Sequence, residues 1–183
     1  MKRAPQTNRA GRLALVAIAA LVIAGCASAS FHASPAPTLA PQATWVVAPL
    51  VNNTATPYAG DRAARLVSTL LAQRTGSQVL VPPAPSDATG LPLDNGEAAE
   101  TNARSYAGKH GAQYLVEGSV DEWNYKIGLD GQPAVGFTLS VIDLATGKTI
   151  WTAAASATGG SREGVAVLAQ DTLSGMLGKL TGT

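Results

Sequence analysis

The chain has 183 residues, of which 46% are hydrophobic and 14% charged, and its formal net charge at pH 7 is +1. A single cysteine cannot form a disulfide within the chain, and the lack of any Lys/Arg cluster argues against a nucleic-acid partner. The length suits one domain that buries its own core.

The N-terminus resembles a secretory signal. Its basic residues precede an apolar run, residues 13–25, which is too short to span a hydrocarbon core of about 30 Å as a helix. The run ends in Leu-Val-Ile-Ala-Gly before Cys26, and this pattern resembles a bacterial lipobox. We therefore expect residues 1–25 to be removed and Cys26 to carry several acyl chains, which hold stably where one does not. The alternative is a plain secretory signal with a chance cysteine.

Removal of the signal changes the charge. It takes away four basic and no acidic residues, and leaves 9 Lys and Arg against 12 Asp and Glu. A mildly acidic chain again disfavours nucleic acid as a partner. The residue after the cysteine is Ala27 rather than the aspartate that resembles an inner-membrane retention signal. We therefore expect a lipid anchor in the outer membrane, on its periplasmic face.

The mature chain divides into a tether and one domain. Residues 26–43 are rich in Ala, Ser and Pro and show no apolar period, which predicts a lipidated, extended tether. Residues 44–183 are predicted as a single periplasmic domain. Its first half contains, in chain order, a strand at 45–51, a helix capped by Thr56 and ending at Gly76, a strand at 79–81, a loop at 85–96 and a helix at 97–109.

The second half predicts a three-stranded meander and a last helix. Along the strand at 113–127 the apolar phase switches near Asp121 and Glu122, which indicates a β-bulge or a change of packing partner. The remaining elements are a turn at 130–131, a strand at 137–141, a hairpin loop at 143–148, a strand at 149–152 and a helix capped by Ser161. The order βαβαβββα predicts an α/β (α+β) fold, a mixed β-sheet with an antiparallel meander backed by helices.

The sequence offers no catalytic set. His32 lies in the predicted tether, and His110 at a predicted helix end favours capping or packing. No residues have metal-ligand spacing, and no nucleophile elbow is present. Residues 147–149 resemble the end of a phosphate loop, but the earlier glycine is missing. We therefore expect no enzymatic activity, no metal and no cofactor.

Two groups of side chains remain as candidates. Asp121, Glu122 and Asp130 either form a carboxylate patch at the end of the meander or are solvated and turn-forming residues. Three aromatic residues are either core residues or an oligomer interface, because a second apolar face created by the phase switch would need a partner. They are Trp123, Tyr125 and Trp151.

Several segments resemble the PelC family, outer-membrane lipoproteins of Pel exopolysaccharide secretion. The most specific is 125–136, and 45–54, 143–151 and 161–164 also match. The opening strand and helix are more loosely similar to TolB-N, CsgG and LpoB-like domains. The resemblance implies a ring of identical subunits, dodecameric, beside the porin-like protein PelB. It also implies an electronegative face around the opening, suited to a cationic polysaccharide.

The resemblance also implies roles for individual residues. Asp130 matches the aspartate of the family's Gly-Leu-Asp-Gly segment and is expected to face the polysaccharide. Arg162 is expected near the membrane, although Gly160 stands where an aromatic side chain would dip into the interface. The alternative function is that of an LpoB-like periplasmic lipoprotein that activates a peptidoglycan synthase.

Overall fold

The computed structural model describes residues 28–83, 96–127 and 131–182. These residues form a mixed sheet and helices on both of its faces. The strands are β1 (Ser28–Ala33), β2 (Trp45–Val47), β3 (Val51–Asn52), β4 (Val79–Leu80), β5 (Tyr114–Tyr125), β6 (Pro133–Asp143) and β7 (Lys148–Thr158). The helices are α1 (Ala59–Thr75), α2 (Gly96–Lys109) and α3 (Val165–Thr181). The predicted loop at 85–96 lies almost wholly outside the described residues.

The sheet has seven strands in the order β1-β7-β6-β5-β2-β4, and β3 pairs with β5. Strands β5, β6 and β7 form an antiparallel meander, and β1 extends it along the free side of β7. Strands β2 and β3 run parallel to β5, and β4 runs parallel to β2. The predicted mixed sheet with an antiparallel meander is therefore confirmed.

One face of the sheet is covered along its whole width. Helices α1 and α3 pack there over alternate residues of the central strands, including Trp45, Val116 and Phe137. Helix α2 covers only part of the other face, where Val46 and Leu115 are buried. Among the described residues, no helix covers the remainder of that second face, over β1, β7, β6 and the second half of β5.

The predicted tether is wrong for residues 28–33, which form β1 at the edge of the sheet. The segment alternates polar and apolar residues, but most are Ser and Ala, and such small side chains give a weak sequence signal. Inward-facing Phe31 packs over Gly175 of α3, where an added Cβ would lie 3.0 Å from its Cε1. Farther along, the Ala40 amide donates to Tyr114 Oη at 2.9 Å. This part of the chain is integral to the domain.

The helix caps also differ from the prediction. Helix α1 begins after Tyr58, which has a left-handed φ of 59°. Thr56 does not cap the helix, and its hydroxyl instead donates to the carbonyl of Trp123. Helix α3 begins after Gly164, and Ser161 lies in the preceding turn. The predicted end at Gly76 is confirmed, with a left-handed φ of 63° that glycine adopts without strain. A long-range hydrogen bond such as that from Thr56 to Trp123 cannot be deduced from a local pattern.

The phase switch in β5 is a β-bulge, as predicted. The register between β5 and β6 shifts between Val120 and Glu122, so Asp121 is the extra residue. The bulge places Trp123 on the same face as Val120, and both belong to the core beneath α1 and α3. The predicted second apolar surface is therefore wrong: the switch keeps the apolar residues on one face.

Candidate functional site

A polar groove of about 520 Å³ crosses the open face of the sheet, from β1 to β5. Because side chains alternate across each strand, most of its polar lining comes from residues on the face opposite the core. Its polar lining includes Ser30, His32, Asp121, Glu122, Thr138 and Ser156. Its floor contains small residues such as Gly136 and Ala154. The groove is large enough for a small ligand or for a segment of a polymer.

Asp121 is held rigidly at one side of the groove by the bulge. Its Oδ1 accepts hydrogen bonds from Asn53 Nδ2 at 2.9 Å and from Ser119 Oγ at 2.8 Å, and its Oδ2 accepts one from Thr138 Oγ1 at 3.0 Å. Partial burial raises the pKa of Asp121, but these three bonds outweigh burial and hold its pKa below the usual value. Asp121 is therefore a fixed negative charge at neutral pH.

Glu122 adds a second carboxylate to the groove. Within the described parts of the chain, the ion pairs shorter than 4.0 Å all involve Arg104, on the opposite side of β5 from the core. Neither Asp121 nor Glu122 is paired with a described Lys or Arg. Asp121 and Glu122 both line the groove, at the bulge and partly in contact with solvent, whereas Asp130 lies outside the described residues, so the three-residue carboxylate patch stays a prediction. The groove carries negative charge that an added cation could balance.

The aromatic candidates divide between core and surface. Trp123 and Trp151 are only 3% and 1% exposed, and both belong to the core under α1 and α3. The Trp123 ring meets Phe137 edge-on, with a centroid distance of 6.0 Å. Of the two alternatives, the core role therefore holds for Trp123 and Trp151, because a buried ring cannot contact another subunit. Tyr125 is 52% exposed, and its Oη accepts a bond from the Val165 amide at 3.1 Å.

Arg162 lies exposed in the turn between β7 and α3. The turn is fixed by Glu163, whose Oε2 accepts a hydrogen bond from the Gly160 amide at 3.1 Å. The Gly159 amide also donates to the carbonyl of Pro133 at 2.9 Å, which joins this turn to the start of β6. Arg162 therefore lies at the same end of the sheet as the β5–β6 connection. Cys26, the predicted lipidation site, lies outside the described residues.

A charged cluster that the sequence did not reveal lies beside α2. Arg104 Nη2 donates to Glu117 Oε2 at 3.0 Å, and Glu100 lies 3.9 Å away on the next turn of the helix. Burial, a bond with Glu100 and its negative charge raise the pKa of Glu117 to about 7, although Arg104 opposes the shift. Glu117 lies thirteen positions after Arg104 and on a different element, so no local sequence pattern reveals this pair.

We expect the stability of the domain to fall as pH rises from about 4.5 to about 7 because of Glu117. The folded state retains a proton there that the unfolded state releases, so folding is favoured at the acidic end. Glu117→Gln should flatten this dependence by roughly 1–2 kcal/mol, a value discounted for partial exposure. Urea unfolding at pH 5 and pH 8 measures the effect, and Glu100→Gln should give a smaller change. Equal pH dependence in wild type and Glu117→Gln would contradict it.

The two histidines lie far apart, one at the end of α2 and one on β1. His110 packs at the end of α2, stacked on Tyr106 with a centroid distance of 4.0 Å, and its Nδ1 lies 2.9 Å from the Tyr106 carbonyl. His32 lies in the groove, 3.1 Å from Ser30 Oγ. Over the described ranges, no group of three His, Cys, Asp or Glu residues could hold a metal. No described helix is long and apolar enough to cross a membrane.

The sequence did not predict the groove residues on β1, β6 and β7. Ser30, His32, Thr138 and Ser156 are separated by up to 126 positions, and only strand register brings them together. Their one local signal is the alternation of small polar with apolar residues along each strand. That alternation shows a half-exposed strand but not which neighbouring strand shares its open face.

Comparison with known proteins gives one strong similarity. No protein-family model matches the chain, and no curated protein matches it. A leucine-to-methionine variant of the PelC dodecamer from Paraburkholderia phytofirmans is 30% identical, with a TM-score of 0.71, over 84% of this chain and 99% of that chain. The PelC dodecamer from the same organism in another crystal form has a TM-score of 0.69 at 30% identity, over 84% and 98%. The LpoB C-terminal domain from Salmonella enterica is more distant, with 16% identity and a TM-score of 0.47, over 66% and 86%.

Proposed function

The chain belongs to the PelC family, and we propose that it is a non-enzymatic lipoprotein that helps to export a cationic exopolysaccharide. The observation that supports this most strongly is the similarity to PelC over 99% of that chain. In the proposal, identical subunits form a ring at the periplasmic face of the outer membrane, anchored through lipidated Cys26. The ring delivers the polymer to a porin-like protein, PelB, and so supports the biofilm matrix.

The mechanism that we propose is electrostatic focusing. A flexible polycation is concentrated near a surface of negative potential, and repeated weak contacts retain it without trapping it. Asp130, placed by the family resemblance, is the residue that we assign to the polymer-facing surface. Asp121 and Glu122 add negative charge in the groove of the meander, without an ion pair to a described Lys or Arg. Export then needs no cofactor and no covalent chemistry.

Assembly into a ring requires two different contact surfaces on each subunit, because a head-to-tail contact closes only when unlike surfaces meet. The described sheet has unpaired strand edges on both sides, at β1 and near β3 and β4. The exposed apolar side chains Val51 and Val81 lie on or beside strands at the second of these edges. These edges are the surfaces that we expect neighbouring subunits to use, in place of the buried tryptophans.

We expect the lipid-free mature protein to form a closed oligomer. Sedimentation velocity over a wide concentration range, with and without vesicles, measures its size. The Ser34 amide donates to Thr152 of β7, so the alternating amide of Ala29 faces the free edge. Ala29→Pro removes that outward donor and should shift the protein towards monomer if that edge is used. Thr69→Ala is the surface control, because Thr69 is exposed on α1, away from both sheet edges, and its replacement should not change assembly. A strictly monomeric protein under all conditions would contradict the ring.

The function itself is tested in cells that make a cationic matrix polysaccharide. Deletion of the gene should lower the amino-sugar content of the cell surface while polymer accumulates in the periplasm. Expression of the wild-type chain should restore export. Normal export combined with altered peptidoglycan cross-linking would instead favour the LpoB-like alternative and would contradict the proposal.

A further inference from the structure

A largely buried carboxyl group lies at the border between α2 and the open part of the sheet. Glu117 lies on β5 between Leu115, which α2 covers, and Ser119, whose hydroxyl donates to Asp121 in the groove. Its side chain is only 13% exposed. Glu117 Oε2 accepts a hydrogen bond from Arg104 Nη2, whereas Oε1, although 2.8 Å from the same nitrogen, is buried without an aligned donor in the described part of the chain. A neutral carboxyl group fits this place, because a buried ionised oxygen without a donor is costly.

A second carboxyl group lies beside Glu117. Glu100 is one turn before Arg104 on α2, and its Oε1 lies 3.9 Å from Arg104 Nη2. A proton held between Glu100 and Glu117 supplies the hydrogen bond that Glu117 Oε1 otherwise lacks. When that proton is lost, two carboxylates face one guanidinium group, and the contact between α2 and the sheet carries an excess negative charge.

The surroundings of Glu117 offer no other charge to balance this excess. Within the described ranges, Arg104 is the only basic group within 4.0 Å of Glu117. On β6, the residue paired with Glu117 is the uncharged Ser140. Ala48, which follows β2, belongs to the apolar cluster under α2. The basic or titratable residues at the other end of α2, more than one turn beyond Arg104, are Lys109 and His110.

The apolar contact of α2 with the sheet is small. The buried residues described on this helix are Ala103 and Ala107. Helices α1 and α3 instead bury leucine, valine and methionine side chains. A methyl group removes far less apolar area from water than a leucine side chain does. A change of one charge at Glu117 is therefore large relative to the packing that holds α2 on the sheet.

We propose that the docking of α2 depends on the proton at Glu117, so that this helix opens more often once the proton is lost. Opening returns Glu117 to water, where its pKa takes the usual value of 4.5, whereas burial beside Glu100 raises that pKa to about 7. The docked state therefore keeps a proton that the open state releases. Docking is strongest below about pH 4.5 and weakens as pH rises to about 7. Opening uncovers Leu115 and extends the open face of the sheet along β5, away from the groove.

Hydrogen exchange of the full-length protein, followed by mass spectrometry at pH 5 and pH 8, tests the proposal. Each rate is corrected for the intrinsic pH dependence of exchange. Protection of residues 96–109 should fall by roughly five- to thirty-fold from pH 5 to pH 8, a factor discounted for partial exposure of the cluster. At pH 8, α2 should be less protected than α1 and α3, because it opens while the rest of the domain stays folded. Equal protection of all three helices at both pH values would overturn the proposal.

Variants separate the proton from an ordinary salt bridge, which would tighten as pH rises. Glu117→Gln keeps the shape of a protonated carboxyl group and should remove the pH dependence of α2 protection. Arg104→Gln removes the charge that opposes the proton, so α2 should stay protected to higher pH than in the wild type. Asp171→Asn, on the exposed side of α3, is the control and should behave as the wild type.

Two results with these variants would overturn the proposal. One is α2 protection that rises with pH or that Arg104→Gln lowers at every pH, which is the behaviour of a salt bridge. The other is a wild-type pH dependence retained in Glu117→Gln. If Glu117→Gln does not fold, Glu100→Gln replaces it, because loss of the second carboxylate should reduce the pH dependence; an unchanged dependence there would overturn the proposal equally.

Discussion

Replacing Cys26 with serine is expected to release nearly all of the protein from the outer membrane. Serine has no thiol to accept the diacylglycerol, and the mature chain would then lack the acyl chains that make attachment stable. The described residues contain no helix that could replace the lipid as an anchor. The domain should still fold, because β1 begins two residues later and keeps its pairing with β7. Fractionation of cells expressing each variant, with mass spectrometry of the N-terminal peptide, measures the effect.

A matched variant distinguishes lipidation from sorting. Ala27→Asp leaves the cysteine in place but introduces an aspartate that resembles the inner-membrane retention signal. The protein should then remain membrane-bound and lipidated, but in the inner-membrane fraction. Cys26→Ser protein that still fractionates with the outer membrane would show that something other than the lipid anchors it. That outcome would remove the basis for the proposed location.

The elements with a strong apolar signal were predictable from the sequence. The helix that ends at Gly76 and the meander strands have clear periods of 3.6 and 2 residues, and the structure contains them. The bulge at Asp121 was also predictable, because a phase switch in one strand has few physical causes. Local periodicity therefore gives the elements and even their irregularities.

The remaining features depend on contacts between distant residues. Strand β1 was missed because Ala29 and Ala33 give little hydrophobic signal, although they alternate correctly with polar residues. The place of Trp123 was left open between core and interface because the sequence shows that the phase changes, but not that the bulge turns the chain back to the same core. The groove was not predicted: its two carboxylates are adjacent in sequence and were noticed, but its hydroxyl groups come from other strands. Register, rather than composition, determines such a site.

The charge reversal Asp130→Lys is expected to abolish most polymer export while the protein remains folded. Every subunit of a ring would carry the change, so a dodecamer would gain about 24 positive units around its opening, and a cationic chain would be repelled. Asp130→Asn tests the competing role in the turn, because asparagine tolerates the same backbone conformation without the charge. It should reduce export less than lysine does, and should leave the melting temperature and oligomer size unchanged.

Asp171→Lys is the matched control for Asp130→Lys. Asp171 is exposed on α3, so its reversal changes the net charge of each subunit equally but on the helix-covered side of the sheet, opposite the groove. If only total charge matters, both reversals should impair export to the same extent. If the position of the charge matters, Asp171→Lys should export normally and Asp130→Lys should not, with polymer retained in the periplasm. A stable Asp130→Lys oligomer that exports normal amounts of polymer would refute electrostatic focusing at this turn, and Asp121 and Glu122 would then be the carboxylates to reverse next, since their groove lies on the same meander.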